Sequence, residues 1–269
     1  MDPIITLISC HNRREKTIAC LRALLSTMLS AHQDFHVYLC DDGCTDGTVD
    51  AAKEIIGDRI TIAQGDGSLF WNRGMIAAWG IAPTESNILL LNDDVILDES
   101  AIPTLLSAHK LSPHAILVGS LRDPIDGRLT YGGRRQGPWW NRLRTTLVEP
   151  GHLPNSCDTF NGNVVLIPAS SIAQLGTLDP AFIHAMGDLD YGFRARRLSI
   201  PILVVPGFIG RCPANPIKPR PLTIKGRWQA VCHPKSTPIG AWFTLCRRHA
   251  GVLWPIIFMR PYIRTIAKI

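Results

Sequence analysis

Acidic side chains at two strand-like tips are the residues of this chain best placed to do chemistry. CDDGCTDGT, residues 40–48, directly follows the strand-like FHVYL, and NDDV, residues 92–95, directly follows the apolar run NILLL. Carboxylates that close buried strands collect at the carboxyl edge of an open α/β sheet, where such folds bind their ligands. Close carboxylates repel one another unless a cation or a hydrogen-bond donor lies between them. A divalent metal together with a nucleotide answers both observations.

Each acidic group has a plain reading and a chemical one. Asp42 precedes Gly43, Thr45, Asp46 and Gly47, which suits an Asp-Gly turn with Asp46 or Thr48 capping the next helix. It also suits a carboxylate that accepts the imide N–H of uracil or thymine, a contact cytosine cannot make. Asn92-Asp93-Asp94 is harder to treat as structural, because the strand before it is wholly apolar and should be central. Two adjacent carboxylates at its tip are costly without compensation. Mg²⁺ or Mn²⁺ prefers carboxylate oxygens and keeps part of its shell for substrate phosphates. Metal–diphosphate binding is therefore expected there.

Asp188 and Asp190 sit in HAMGDLDYGFRAR. At a helix start, Asp188 suits the dipole and Asp190 pairs with Arg194 one turn on. Asp188 can at the same time face a site and take the proton from an acceptor hydroxyl. GDGSLFWNRG at 65–74 matches neither GxGxxG nor GxxxxGK[ST], the phosphate-cradling patterns. It is expected to line a pocket by shape, with Phe70 and Trp71 as apolar walls. Asn161-Gly162-Asn163 is expected to form a polar lip on the acceptor side, with Asp190 nearby.

The elements that must position these groups alternate between strand and helix patterns. Strands are expected at 4–9, 36–40, 59–63, 87–91 and 115–120, and helices at 17–30, 48–56, 70–79 and 100–110, the last capped by Ser100. The alternation implies an α/β fold, a mostly parallel central sheet flanked by helices. Beyond it lie a hairpin at 128–132, strands at 164–167 and 202–205, and a helix starting near Asp188. Prolines at 213, 216, 219, 221, 234 and 238 argue against long regular structure until about Ile239. The chain then divides into a catalytic domain over 1–210 and an extension over 211–269.

Composition narrows the class. The 269 residues are 46% hydrophobic and 19% charged, values of a globular protein with a sizeable core. Residues 1–190 hold all 22 acids against 14 Lys/Arg, a net of −8, whereas 191–269 hold 14 Lys/Arg and no acid. A tail of that sign calls for an anionic partner such as phosphate or a lipid surface. Its aromatics and basic residues carry no recognised nucleic-acid motif, so no nucleic-acid partner is expected. The closing stretch from Ala241 is amphipathic and interrupted by Arg247, Arg248, Pro255 and Arg260. It suits a membrane surface better than a span, which needs about 18–20 apolar residues. The eight cysteines lack zinc spacing and are expected as reduced thiols in a cytoplasmic protein. MDPIITLIS reads as a buried strand and not as a signal peptide.

In this order, a first strand ending in CHNR, DDGCTDGT, LLLNDDV and FIHAMGDLDYGFRAR followed by VVPG resembles the family 2 glycosyltransferases. GDGSLFWNRGM and MGDLDYGFRAR resemble the rhamnosyltransferase-like branch. The resemblance implies an inverting enzyme of GT-A-type fold that uses Mn²⁺ or Mg²⁺. It would move one sugar from a UDP- or dTDP-sugar to a glycan or lipid-linked acceptor in surface polysaccharide synthesis, peripheral on the cytoplasmic face of the membrane. It implies Asp42 on the base, with Asn12 and Trp71 also on the donor side, Asp93 near the ribose or sugar, Asp94 on the metal and Asp188 as general base. Gly187 stands where the family carries the Glu of its Glu-Asp pair. The polymerising members' Gln-x-x-Arg-Trp is absent, since Ile224 precedes Arg227-Trp228, which favours single addition.

Two rivals share the sheet. A sugar nucleotidyltransferase needs a Gly-rich N-terminal loop for its triphosphate, and ISCHNRREK has no glycine. A catalytically inactive nucleotide-sugar-binding module at the membrane surface has only Gly187 in its favour. Arg211 or Lys218 is the tail cation expected, from charge alone, to close over the diphosphate.

Overall fold

A computed structural model describes residues 3–83, 85–216 and 221–266. The first half follows the expected alternation: β1 (Ile4–Cys10), α1 (Arg14–Ser30), β2 (Phe35–Asp41), α2 (Thr48–Ile56), β3 (Ile60–Gln64), α3 (Phe70–Gly80), β4 (Ile88–Leu91), β5 (Ile96–Leu97), α4 (Ala101–Leu111) and β6 (Ile116–Arg122). The second half supplies β7 (Leu129–Tyr131), β8 (Gly133–Arg135), β9 (Thr146–Leu147), β10 (Asn155–Ser156), β11 (Thr159–Phe160), β12 (Val164–Ile167), α5 (Ala169–Leu175), α6 (Gly187–Arg197) and β13 (Ile202–Arg211). Three helices close the chain: α7 (Ile224–Cys232), α8 (Ile239–His249) and α9 (Trp254–Ile266).

The main sheet runs β10-β13-β6-β12-β4-β1-β2-β3. β4, β1, β2 and β3 pair in parallel, as strands joined by crossover helices must. β12 enters antiparallel between β4 and β6, so the sheet is mixed at its centre. All four residues of β4 are fully buried, because both of its faces are covered. Leu89 and Leu91 belong to the core layer shared with α1 and α4, and Ile88 and Leu90 to the layer shared with α3, α5 and α6. That two-sided cover is why the strand reads as a continuous apolar run.

Three local expectations are corrected. Ser100 stands at the start of α4, but its hydroxyl makes no capping bond. The 128–132 hairpin is the return of β7 onto β6, with its turn earlier, where Asp123 N–H bonds to the Arg128 carbonyl at 2.8 Å. The proline-rich stretch does hold a helix, α7, in the proline-free window between Pro221 and Pro234. Thr223 caps it by accepting the Gly226 N–H at 3.1 Å, satisfying an orphan donor of the first turn.

The boundary expected at 210 falls in the last two residues of β13. The extension beyond it folds back onto the loop before α6. Ala241 and Leu245 of α8 pack with Phe182 and Met186, and Trp228 of α7 stacks near Tyr262 of α9. Arg227 is buried and donates to the Thr265 carbonyl, so Arg227-Trp228 joins α7 to α9. Among the described residues, no helix is long and apolar enough to cross a membrane.

Candidate active site

The acidic tips lie side by side because β1 separates β2 from β4 and all three run in parallel. At the β2 tip, Asp42 is buried and accepts three backbone N–H groups, from Gly67 at 2.9 Å, Leu69 at 3.2 Å and Phe70 at 3.0 Å. Its carboxylate thereby holds the glycine-rich turn that leads into α3. Asp41 beside it accepts Cys44 N–H at 2.7 Å and the Gln64 side chain at 3.0 Å. Burial pushes its pKa up, but those donors outweigh it and hold the carboxyl below its ordinary range. Asn12, at positive φ, binds Thr45 N–H through Oδ1 at 2.8 Å and ties the end of β1 to the same tip.

At the β4 tip, the compensating cation is a side chain that the sequence reading did not single out. Arg13 donates from Nη1 to Asp93 at 2.8 Å and from Nη2 to Asp94 at 2.6 Å. One guanidinium fork bridging two carboxylates is a strong, oriented arrangement. Burial still pushes the Asp93 carboxyl up to about 7, against the pull of Arg13. Among the described residues, the other Asp94 oxygen meets the weak thiol donor of Cys212 at 3.6 Å. Among the described residues, no cluster of three or more His, Cys, Asp or Glu forms a ready metal site. Hard carboxylate oxygens at one tip, with Asp94 half-open, fit a divalent ion that draws its remaining ligands from substrate phosphates and water. Asp94 is the residue that would hold it.

Trp71 connects this tip to the third acidic group. Its indole N–H donates to Asn92 Oδ1 at 2.6 Å, and its ring lies against Gly162. A β-carbon at Gly162 would come within 2.5 Å of that ring and 3.3 Å of the Asp188 Cβ, so only glycine lets the three meet. Asp188 then accepts Gly162 N–H at 3.0 Å and Leu189 N–H at 2.8 Å. Its carboxyl is raised above the ordinary range by burial, a push that those two bonds and the Arg134 charge only partly offset. Asn161 turns its Oδ1 to Arg134 at 3.1 Å, making part of the same lip. Asp42 reaches the group through the turn it holds, which ends at Phe70-Trp71. Trp71 thus links the Asn92-Asp93-Asp94 tip to Asp188, and Asp42 joins them through the turn it holds.

Asp190 is placed differently. It is fully buried and binds Arg194 at 2.8 Å, His249 Nε2 at 2.8 Å and Arg248 at 3.1 Å. Burial alone would raise its pKa, but the His249 bond and Arg194 hold the carboxyl below its usual range. Its contacts tie α6 to α8, on the far side of the helix start from the cleft residue Asp188. The i,i+4 reading with Arg194 holds, and the added partners come from the extension.

Arg13, Arg134 and His184 join these contacts and were not assigned by sequence. Arg13 lies in the quoted CHNR, and its placement directly after an apolar strand was the available sign. Arg134 lies in the three-residue strand β8 and His184 in an irregular loop, both too short or irregular for a local pattern to announce.

Comparison with known proteins agrees with this architecture. The sequence pattern of Glycosyl transferase family 2 matches residues 6–165, more than half of the chain. Two curated relatives, each an N-acetylglucosaminyl-diphospho-decaprenol L-rhamnosyltransferase of Mycobacterium tuberculosis, strains CDC 1551 / Oshkosh and ATCC 25618 / H37Rv, are 27% identical over 201 residues. The match covers 64% of this chain and 64% of each relative, so it spans less than two thirds of their length. The crystal structure of S. aureus TarS 1-349 superposes with a TM-score of 0.56 at 11% identity, over 79% of this chain and 60% of that one. A crystal structure of S. aureus TarS gives 0.57 at 13% identity, over 91% and 42%. The likeness to TarS shows a shared GT-A-type fold, and the sequence match shows descent: the chain belongs to glycosyl transferase family 2.

Proposed function

We propose that this protein is an inverting, single-addition glycosyltransferase that moves one sugar from a UDP- or dTDP-linked donor to a glycan or lipid-linked acceptor in surface polysaccharide synthesis. The observation that carries this reading is the Trp71 bridge, which links the Asn92-Asp93-Asp94 tip to the glycine that packs beside Asp188. A donor whose diphosphate lay at Asp94 would turn its sugar toward Asp188. The curated relatives, named for rhamnosyl transfer to a diphospho-decaprenol-linked sugar, support a lipid-linked acceptor.

The chemistry follows from the environments. Asp188, its pKa raised by burial, takes the proton of the acceptor hydroxyl, and that oxygen attacks the anomeric carbon opposite the diphosphate. One bond forms, one breaks, and configuration inverts. Mg²⁺ or Mn²⁺ held by Asp94 would supply positive charge to the departing diphosphate. Arg13 keeps the Asp93–Asp94 pair from repelling itself and orients it. Asn12 and the turn held by Asp42 border the base side, and Asn161 the acceptor side.

A surface role at the cytoplasmic face of the membrane has its own support. Val252, Ile256, Met259 and Ile263 are 87%, 67%, 45% and 54% exposed and recur at helical spacing along α9 and the turn before it. Trp139 and Trp140 are exposed as well, on a turn that touches the one preceding α9.

Calorimetric titration of UDP-, dTDP- and GDP-sugars, with and without Mn²⁺, tests the function. Binding of a UDP- or dTDP-sugar that Mn²⁺ strengthens, and that Asp94→Ala deprives of its metal dependence, is expected. Consumption of a nucleoside triphosphate with a sugar phosphate, in place of donor turnover, would instead mark a nucleotidyltransferase.

A further inference from the structure

Charge alone pointed to Arg211 or Lys218 as the cation over the donor diphosphate. Arg211 instead turns to Asp98, with Nε 3.6 Å from its carboxylate, and Lys218 lies outside the described residues. Another part of the extension reaches the loop before Asp188. After α7 the chain turns through His233-Pro234-Lys235, and the Pro234 carbonyl accepts the Ala185 N–H at 3.3 Å. That bond pins the turn to the loop three residues before Asp188. The loop is itself anchored to α3, where the Ile183 carbonyl accepts the Asn72 N–H at 3.1 Å.

The turn is built and not merely extended. Val231 accepts Thr237 N–H at 3.0 Å, the His233 carbonyl accepts Ser236 N–H at 2.8 Å, and His233 Nδ1 accepts Lys235 N–H at 3.1 Å. An accepting Nδ1 places the neutral ring's proton on Nε2, leaving that N–H as a donor. Phe70 joins the turn to the cleft: its ring meets His184 edge-on at 6.0 Å and His233 edge-on at 6.3 Å. His184 is held down to about 4, by burial first and then by Lys235, His233 and Arg13. Phe70 thus sits between His184 of the loop before Asp188 and His233 of the turn. Lys235 is exposed, and no carboxylate pairs with it among the described residues.

We propose that the His233-Pro234-Lys235 turn is a diphosphate clamp, in which Lys235 and the His233 Nε2–H bind the leaving diphosphate of the donor. The proposal rests on the reading that the donor is a nucleoside-diphosphate sugar. Its physical basis is charge: Arg13 is the counter-cation of Asp93 and Asp94 and Arg134 acts on Asp188, and a diphosphate adds further negative charge. A cation from the extension offsets the charge that grows on the leaving group. A solvated basic turn is the plain alternative. The pinning to Ala185 and the shared Phe70 wall favour the clamp.

Calorimetric titration of UDP, dTDP and GDP, each beside its monophosphate, separates the two. The proteins are the full chain and its Lys235→Ala, Lys235→Arg and His233→Ala variants, in Mg²⁺ buffer. For the nucleotide that wild type binds, Lys235→Ala is expected to weaken diphosphate affinity by about tenfold or more and to leave the monophosphate nearly unchanged. His233→Ala should show a smaller loss of the same kind, and Lys235→Arg should retain most of the affinity. Unchanged diphosphate binding in both alanine variants overturns the clamp and leaves the proposed function standing. An equal loss for monophosphate and diphosphate also overturns it, in favour of a distorted site. Absence of binding of all three diphosphates to wild type overturns the nucleotide-sugar reading and the clamp together.

Discussion

A β-carbon on Gly187 would lie 1.8 Å from Oδ1 of Asn72. Asn72 is fully buried and cannot swing away cheaply, because its Nδ2 donates to the Asp179 carbonyl at 2.9 Å and the Phe182 carbonyl at 2.8 Å. The glycine that stands in place of the family's Glu is thus matched by a side chain filling the same space. Gly187→Ala is expected to destabilise the fold by about 1–3 kcal/mol through overpacking, read as a lowered melting temperature. Adding Asn72→Ala should recover part of that loss, giving a double variant less destabilised than the two single effects summed. Gly187→Glu should not raise transferase activity. If it does, the cleft has room that this packing denies.

Asp188 carries the proton in the proposed reaction. Asp188→Asn keeps an acceptor for the Gly162 N–H but cannot take a proton at neutral pH. Transfer should fall by about 10²–10⁴-fold, while donor affinity measured by calorimetry stays near wild type. The raised pKa sets the sign of the pH profile: the ionised base is lost as pH falls through that value. Turnover should therefore drop on the acid side at a pH above the ordinary carboxylate range. Full turnover by Asp188→Asn would remove it from the mechanism.

Asp190 joins the two parts of the chain. Its carboxylate is shared by Arg194, Arg248 and His249, and removing one partner of a buried ionic cluster costs about 3–5 kcal/mol. Asp190→Asn should lower the melting temperature and expose α8 and α9 to limited proteolysis before the rest. Because its carboxyl lies below the ordinary range, its contribution is complete above the unfolded value, ~3.9, and is lost as pH falls through the folded value. Wild type should lose stability in that acid window, and Asp190→Asn should lack that component.

The α9 face makes a testable surface. Cosedimentation with anionic phosphatidylglycerol vesicles should retain wild type at low salt and release part of it at high salt, since basic residues supply some of the attraction. Ile256→Asp and Trp139→Ala should each reduce retention without changing the melting temperature, because both side chains are exposed. Equal retention of all three proteins would remove this face from membrane binding.

Local pattern carried a large share of the fold. Helix α2 lies at Thr48–Ile56 as periodicity predicted, and β4 is fully buried as its unbroken apolar run required. What local pattern missed was set by distant partners. The helix α7 was hidden by prolines that flank it without entering it. Antiparallel β12 was invisible as such, because a strand's direction is fixed by its neighbours and not by its own four residues.

The site divides along the same line. The sequence by itself determined which chemical groups end the strands, Asp42, Asp93 and Asp94, and that Asp188 begins a helix, because those facts depend on neighbours in the chain. Only the tertiary structure decided who neutralises whom. Arg13 reaches 80 residues along the chain to Asp93, Trp71 reaches Asn92, and Asp190 turns to His249. Such contacts join segments whose separation in sequence carries no record of their closeness in space, and burial, which shifts the proton affinities, exists only once they have met.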